Sequence, residues 1–160
     1  MIRGALLCLL GLTLAGCQSG GSGQTTVEPL VARFFLEVPP GATGAAVELP
    51  VSKVRLGVNP KPVFGEYDIA GLEVVKVDLG WCLRFAFTPA AARDLYRMSV
   101  TAQGRRLVLF FNSTAVGVRQ LDPSVGQQGL MIFVEVPNEE LIPLADRIRR
   151  TSAGLQAKAK

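Results

Sequence analysis

The stretch LEVVKVDLGWCLRFAFTP, residues 72–89, alternates, reverses and then changes period. Val75, Val77 and Leu79 share one face of an extended segment at 72–79, with Lys76 and Asp78 turned away. Gly80 makes a tight reversal, and Trp81, Leu83, Phe85 and Phe87 line one face of the returning strand. Period two on both sides of a glycine predicts an antiparallel hairpin. Thr88 then suits an N-cap and Pro89 the first helical position. Ala92, Leu95, Ser99 and Ala102 recur at helical spacing, Arg93 and Arg97 face outward, and Asp94 reaches Arg97 at i,i+3. Gly104 marks the helix stop.

The flanks extend the same alternation of types. Arg105-Arg106-Leu107-Val108-Leu109-Phe110-Phe111 carries five consecutive apolar residues, so it predicts a strand buried on both faces and therefore central. Asn112-Ser113-Thr114 reads as a turn into 115–118, with a bulge or close backbone approach at Gly117. Leu130, Ile132, Val134 and Val136 mark a further strand. Asn138-Glu139-Glu140 opens a second helix, with Leu141, Leu144, Ala145 and Ile148 as its apolar face. Pro143 fits badly inside it, so either the helix starts at Pro143 or its first turn is irregular. Upstream, Phe34, Leu36 and Val38 share a face at 31–38, and Val54, Leu56 and Val58 share one at 51–58. Two helices on one face of an antiparallel or mixed sheet bury both stripes in one core, an α+β fold.

Composition agrees with one globular domain. The chain has 160 residues, 49% hydrophobic and 19% charged, which excludes two full-sized domains and a disordered chain. It has no His, so His-based acid–base chemistry, triads containing His and most zinc sites are excluded. Three Cys do not make a disulfide scaffold.

The first seventeen residues read as an address. Arg3 gives a positive start, Leu6 to Leu14 an apolar core too short to span a bilayer, and Leu14-Ala15-Gly16-Cys17 matches the lipobox of bacterial lipoproteins. The match implies cleavage after Gly16 and a diacylglyceryl thioether on Cys17. Two or three acyl chains then hold the chain to a membrane, each buried CH₂ contributing about 0.8 kcal/mol. Gln18 stands where an Asp often signals inner-membrane retention, which favours the outer membrane and a periplasm-facing domain. Residues 1–16 are thus expected to be a signal peptide, 17–27 the lipidated Cys and a Gly/Ser tether, 28–150 the α+β domain, and 151–160 a basic C-terminal tail. The tether is expected to reach only about 15 Å.

Charge is unevenly spread. Residues 17–143 carry eleven Lys or Arg and twelve Asp or Glu, whereas 144–160 carry Arg147, Arg149, Arg150, Lys158 and Lys160 against Asp146 alone. Such a cluster touches anionic headgroups or an acidic partner, or is a solvated helix end favoured by the macrodipole. No basic-aromatic motif points to nucleic acid.

A family resemblance rests on an ordered set of features. Asp68-Ile69 precedes a hairpin whose second strand is Leu83-Arg84-Phe85-Ala86-Phe87-Thr88, a helix runs through Ala91 to Leu95, and Gly104-Arg105-Arg106-Leu107-Val108-Leu109 leads to a turn at Asn112. Gly129-Leu130-Met131-Ile132 and a helix with Leu144-Ala145 close the unit. Residues 68–150 resemble part of the first periplasmic domain of SecD, the protein-export accessory subunit. The resemblance implies a ferredoxin-like α+β module without catalytic residues that contacts a translocating polypeptide. Asn112-Ser113 departs from the Asp-Gly usual at that turn.

Catalytic signatures are nearly absent. There is no Cys/His metal spacing, no Gly-x-Ser-x-Gly elbow and no phosphate loop. Glu66 and Asp68 lie near a turn at Gly65 and can face one pocket, and Cys82 is either a reactive thiol or a small buried hydrophobe. Phe35 falls on the face of Arg33 and Glu37, which makes it part of a binding edge, a dimer contact or a strand covered on both sides. The sequence therefore points to a non-enzymatic lipoprotein with no cofactor and no metal. Its expected partners are a membrane, through Cys17, and an envelope protein, held by strand addition at a free sheet edge near Arg33, Phe35, Asn112 and Ser113. A carboxylate- or Cys-dependent envelope enzyme and a structural outer-membrane assembly lipoprotein are the alternatives.

Overall fold

A computed structural model describes residues 28–125 and 129–158. The expected signal peptide, Cys17 and the tether lie outside the described residues, as does Lys160. Eight strands and two helices follow in the order β1 (Ala32–Leu36), β2 (Ala45–Glu48), β3 (Arg55–Val58), β4 (Ile69–Val77), β5 (Gly80–Phe87), α1 (Pro89–Thr101), β6 (Arg106–Phe111), β7 (Thr114–Gln120), β8 (Leu130–Ile132) and α2 (Asn138–Lys158). This is the expected α+β class, with antiparallel sheets and two helices in a ferredoxin-like manner.

The strands form three ladders, β1-β6-β7, β2-β3 and β4-β5-β8. Isolated antiparallel bridges knit them together: Phe34 to Phe64, Glu37 to Val58 and Gly117 to Val134. As expected from its unbroken apolar run, β6 is central, and Leu107 to Phe111 are all buried. The close approach anticipated at Gly117 is present. A Cβ there would stand 2.5 Å from the Phe133 carbonyl oxygen, and the β6–β7 register shifts between Leu109 and Phe110. Only a residue without a side chain lets β7 meet the chain beyond β8.

The β4–β5 hairpin closes as the alternation predicts, with Val77 opposite Gly80 and Asp78-Leu79 as the loop. Gly80 has φ +123°, a region that L side chains rarely adopt. The inward face of β4 differs from the expectation. Leu72 is buried and Val74 packs on the core, whereas Val77 and Leu79 are exposed. An irregularity between Ile69 and Gly71 sets this parity. On β5 the expected face is correct for Leu83 and Phe85, which are fully buried. Trp81 projects past the core edge and lies under Lys76, whose Nζ is 5.7 Å from the ring centroid.

α1 starts at the expected cap, the Thr88 hydroxyl accepting from the Ala91 N–H. Its buried stripe is Ala91, Leu95 and Ser99, so Ala91 replaces Ala92. The Asp94–Arg97 pair forms at 3.2 Å. α2 begins at Asn138 and carries Pro143 inside, so the start at Pro143 is not taken. It continues past the expected 150/151 boundary to Lys158, with Ser152 buried on its inner face. The expected single strand at 51–58 is a hairpin arm instead. Val51 and Ser52 form a turn, Lys53 has φ +59°, and β3 pairs with β2, a strand that carries no period-two signal.

One core holds the molecule together. Phe34 from β1, Leu107 and Leu109 from β6, Leu83 and Phe85 from β5, Leu95 from α1 and Ile148 from α2 all belong to it. Phe34 meets Phe85 edge-on, with ring centroids 5.0 Å apart. Each fully buried side chain of this size contributes about 1.5–3 kcal/mol over its exposed state. A second, smaller cluster of Leu49, Leu56, Val58, Val108, Phe110 and Ala115 fills the far face of β6 under the β2–β3 hairpin.

Candidate functional site

Strand alternation puts Leu72, Val74, Leu83, Phe85, Leu130 and Ile132 on the face of β4-β5-β8 that meets the helices. The residues between them occupy the opposite face, and several are apolar. Val77, Leu79, Met131 and Phe133 are all exposed, Leu79 at 85%. With Cys82 and Arg119 they surround a pocket of about 300 Å³. Arg119 and Asp78 supply its polar rim, and Arg119 is held 2.9 Å from Asp122. Exposed apolar side chains gathered around one hollow mark a contact surface, whereas scattered ones do not.

β4 borders this face and is paired on one side only, with β5. It is the longest strand, nine residues. A row of unpaired backbone groups along such an edge accepts an incoming strand. Its beginning is already occupied, because the Gln156 side-chain amide donates to the Ile69 carbonyl at 2.8 Å.

The residues expected to bind a partner stand elsewhere and carry internal contacts. Arg33 makes a two-point ion pair with Glu66, at 3.0 and 2.9 Å. Phe35 is half-buried on the second cluster, its ring 4.7 Å from that of Phe110, which is the covered-strand alternative. The outer edge of β1 is taken up by residues 57–64: Phe34 N–H donates to the Phe64 carbonyl at 2.8 Å, and Asn59 N–H to the Leu36 carbonyl at 2.9 Å. Asn112 closes the β6–β7 turn at φ +53°, and its Oδ1 accepts from the Val31 N–H at 3.0 Å. Ser113 is exposed beside it. Arg33 and Phe35 lie on the β1–β6 ladder and Asn112 and Ser113 in the turn beyond it, and none of the four lines the apolar hollow.

The groups considered for catalysis are also engaged. Hydrogen bonding from Arg33 holds the Glu66 carboxyl below the usual carboxylate range, against the opposing effect of burial. Asp68 accepts from the Gly65 N–H at 2.8 Å and shapes that turn. Cys82 is 1% exposed, and burial pushes its thiol up, which Arg84 only partly opposes. A thiol above its ordinary range is a poor nucleophile at neutral pH. Among the described residues no group of three His, Cys, Asp or Glu side chains stands where a metal ion would sit, and no helix is long and apolar enough to cross a membrane.

The apolar hollow was missed in the sequence because period two does not say which side is inside. Its one signal was Leu130-Met131-Ile132-Phe133, four apolar residues in a row, which leaves both faces apolar.

No protein-family model matches the chain, and no curated protein matches it in sequence. Two solved SecDF structures match its fold. One, described as a membrane component SecDF that enhances protein export, is 17% identical over 76% of this chain and 62% of its own, with a TM-score of 0.55. The other, SecDF in its super-membrane-facing form, is 18% identical over 75% of this chain and 18% of its own, with a TM-score of 0.56. The chain thus spans less than two thirds of either neighbour. What it shares with them is a SecD-like domain fold.

Proposed function

We propose that this chain is a lipoprotein of the bacterial envelope, anchored through Cys17 on the periplasmic side of the outer membrane, whose SecD-like domain holds an extended polypeptide segment in the context of protein export. One stretch of the polypeptide adds to the open edge of β4, and a separate apolar stretch seats in the hollow at Leu79, Met131 and Phe133, on the β8 side of the same sheet. The observation that carries this reading is the exposed apolar outer face in the same sheet as β4, a nine-residue strand with one edge unpaired. Main-chain hydrogen bonds give such a site affinity for many sequences, and the hollow adds a preference for apolar ones. The role is binding without catalysis. The internal commitments of Glu66, Asp68 and Cys82 support that part.

Fluorescence anisotropy with a labelled, permanently unfolded polypeptide as probe tests the site. Leu79→Asp with Phe133→Asp is expected to weaken binding at least tenfold, which corresponds to about 1.4 kcal/mol, while Phe35→Leu leaves it unchanged. Equal binding by both variants overturns the assignment. Intact mass of the native chain tests the anchor, with a diacylglyceryl adduct on Cys17 expected.

A further inference from the structure

The described chain begins at Glu28 and Pro29, and both line a pocket of about 310 Å³ against the second half of α2. Arg147, Arg150 and Lys158 line the same pocket. They sit at i, i+3 and i+11, one face of the helix. Three cations therefore face one carboxylate, that of Glu28. The other acid of this helix half, Asp146, is paired with Arg149.

The pocket is built by a strap. Leu30 N–H donates to Thr151 Oγ1 at 3.2 Å, and Arg147 donates to the Glu28 carbonyl at 3.1 Å, so the entering chain is tied to α2 at two points. Arg147 Nε–H is the one buried side-chain donor without an acceptor among the described residues. A surplus of cations on one pocket wall is what a phosphate group satisfies.

Ten residues lie between Cys17 and Glu28, and the eleven steps from one to the other reach at most about 40 Å in any conformation. We infer that the Arg147–Arg150–Lys158 pocket docks the phosphate of anionic phospholipid headgroups, turning this end of α2 toward the bilayer. The choice of a lipid as the source rests on the anchored reading proposed above; recognition of phosphate by the pocket does not. Docking on this face converts a tethered domain into an oriented one.

The test uses the chain from residue 17 onward carrying Cys17→Ser, so that no acyl chain contributes. Its cosedimentation with phosphatidylcholine vesicles is compared with that on vesicles also containing phosphatidylglycerol, across a salt series. Binding to the anionic vesicles only, weakening with salt, is expected. Arg150→Gln with Lys158→Gln is expected to lower it about twenty-five fold, about fivefold for each cation. Arg93→Gln, which removes an exposed cation on α1, leaves it unchanged. Full binding by the Arg150/Lys158 variant, an equal loss with Arg93→Gln, or equal binding to phosphatidylcholine alone overturns the inference. So does displacement from the vesicles by low concentrations of glycerol phosphate, which would mark a site for a free phosphate ester. Because Cys17 is absent from this test and read separately by mass, failure of the pocket and failure of the anchor are distinguishable.

Discussion

The two faces of the β4-β5-β8 sheet carry apolar side chains in the same alternating register, yet they have different fates. The inner face meets α1, α2 and the β1-β6-β7 sheet, and Leu83, Phe85, Leu130 and Ile132 there are essentially inaccessible to water. The outer face is covered only in part, with Cys82 buried and Arg119 of β7 at its margin, and Leu79, Met131 and Phe133 remain in contact with solvent. Hydrophobicity alone therefore does not assign a residue to the core. What assigns it is whether another element arrives to cover it, and here both helices cover one side. The face left over is the one available to a partner.

Substitutions on the two faces should separate stability from binding. Phe85→Ala removes a ring from the centre of the core and is expected to cost about 3–5 kcal/mol in urea unfolding. A cost no larger than that of a surface change would mean the inner face is not the structural one. Gly117→Val drives a side chain into the Phe133 carbonyl, at the seam between the two three-stranded sheets. It is expected to cost about 1–3 kcal/mol. Hydrogen exchange should show the Glu135 amide, which donates to the Val116 carbonyl at 2.7 Å, losing protection before α1 does.

A smaller effect comes from pH. Arg106 hydrogen-bonds Glu37, and Arg33 hydrogen-bonds Glu66; both carboxyls sit below the ordinary range despite some burial. A group with a lowered folded value stabilises the fold above the unfolded glutamate value near 4.3 and loses that contribution as pH falls through the folded value. Stability should therefore be flat from neutral pH down to about 5 and decline below about 4. Glu66→Gln should flatten part of that decline by less than about 1 kcal/mol, since Arg33 is partly exposed. The smallest change is predicted for Leu79→Ser, within about 0.5 kcal/mol of the parent. If it destabilises strongly, the outer face is covered after all and the contrast between the faces fails.

Much of the architecture was legible in the residues. The run from Leu107 to Phe111 announced a central strand, Gly117 a close approach, and Thr88-Pro89 a helix start, because each is a local steric or hydrogen-bonding requirement. β2 was not legible, since Ala45-Ala46-Val47-Glu48 buries almost nothing and is held by its pairing with β3. The inward parity of β4 was misread because Val74 and Val75 are adjacent and the irregularity at Ile69/Gly71 resets the count. The apolar hollow was hidden for a related reason: the sequence left open whether Phe35 was covered, which the second cluster decides, and Leu79 looked internal although it is exposed.

The Gln156 amide on the Ile69 carbonyl has a consequence for any guest strand. It works as an end stop. A strand added to β4 as proposed cannot pair past Gly71 on that side, so its overlap with β4 is bounded at that end. A helix residue thus limits how much of the β4 edge stays open.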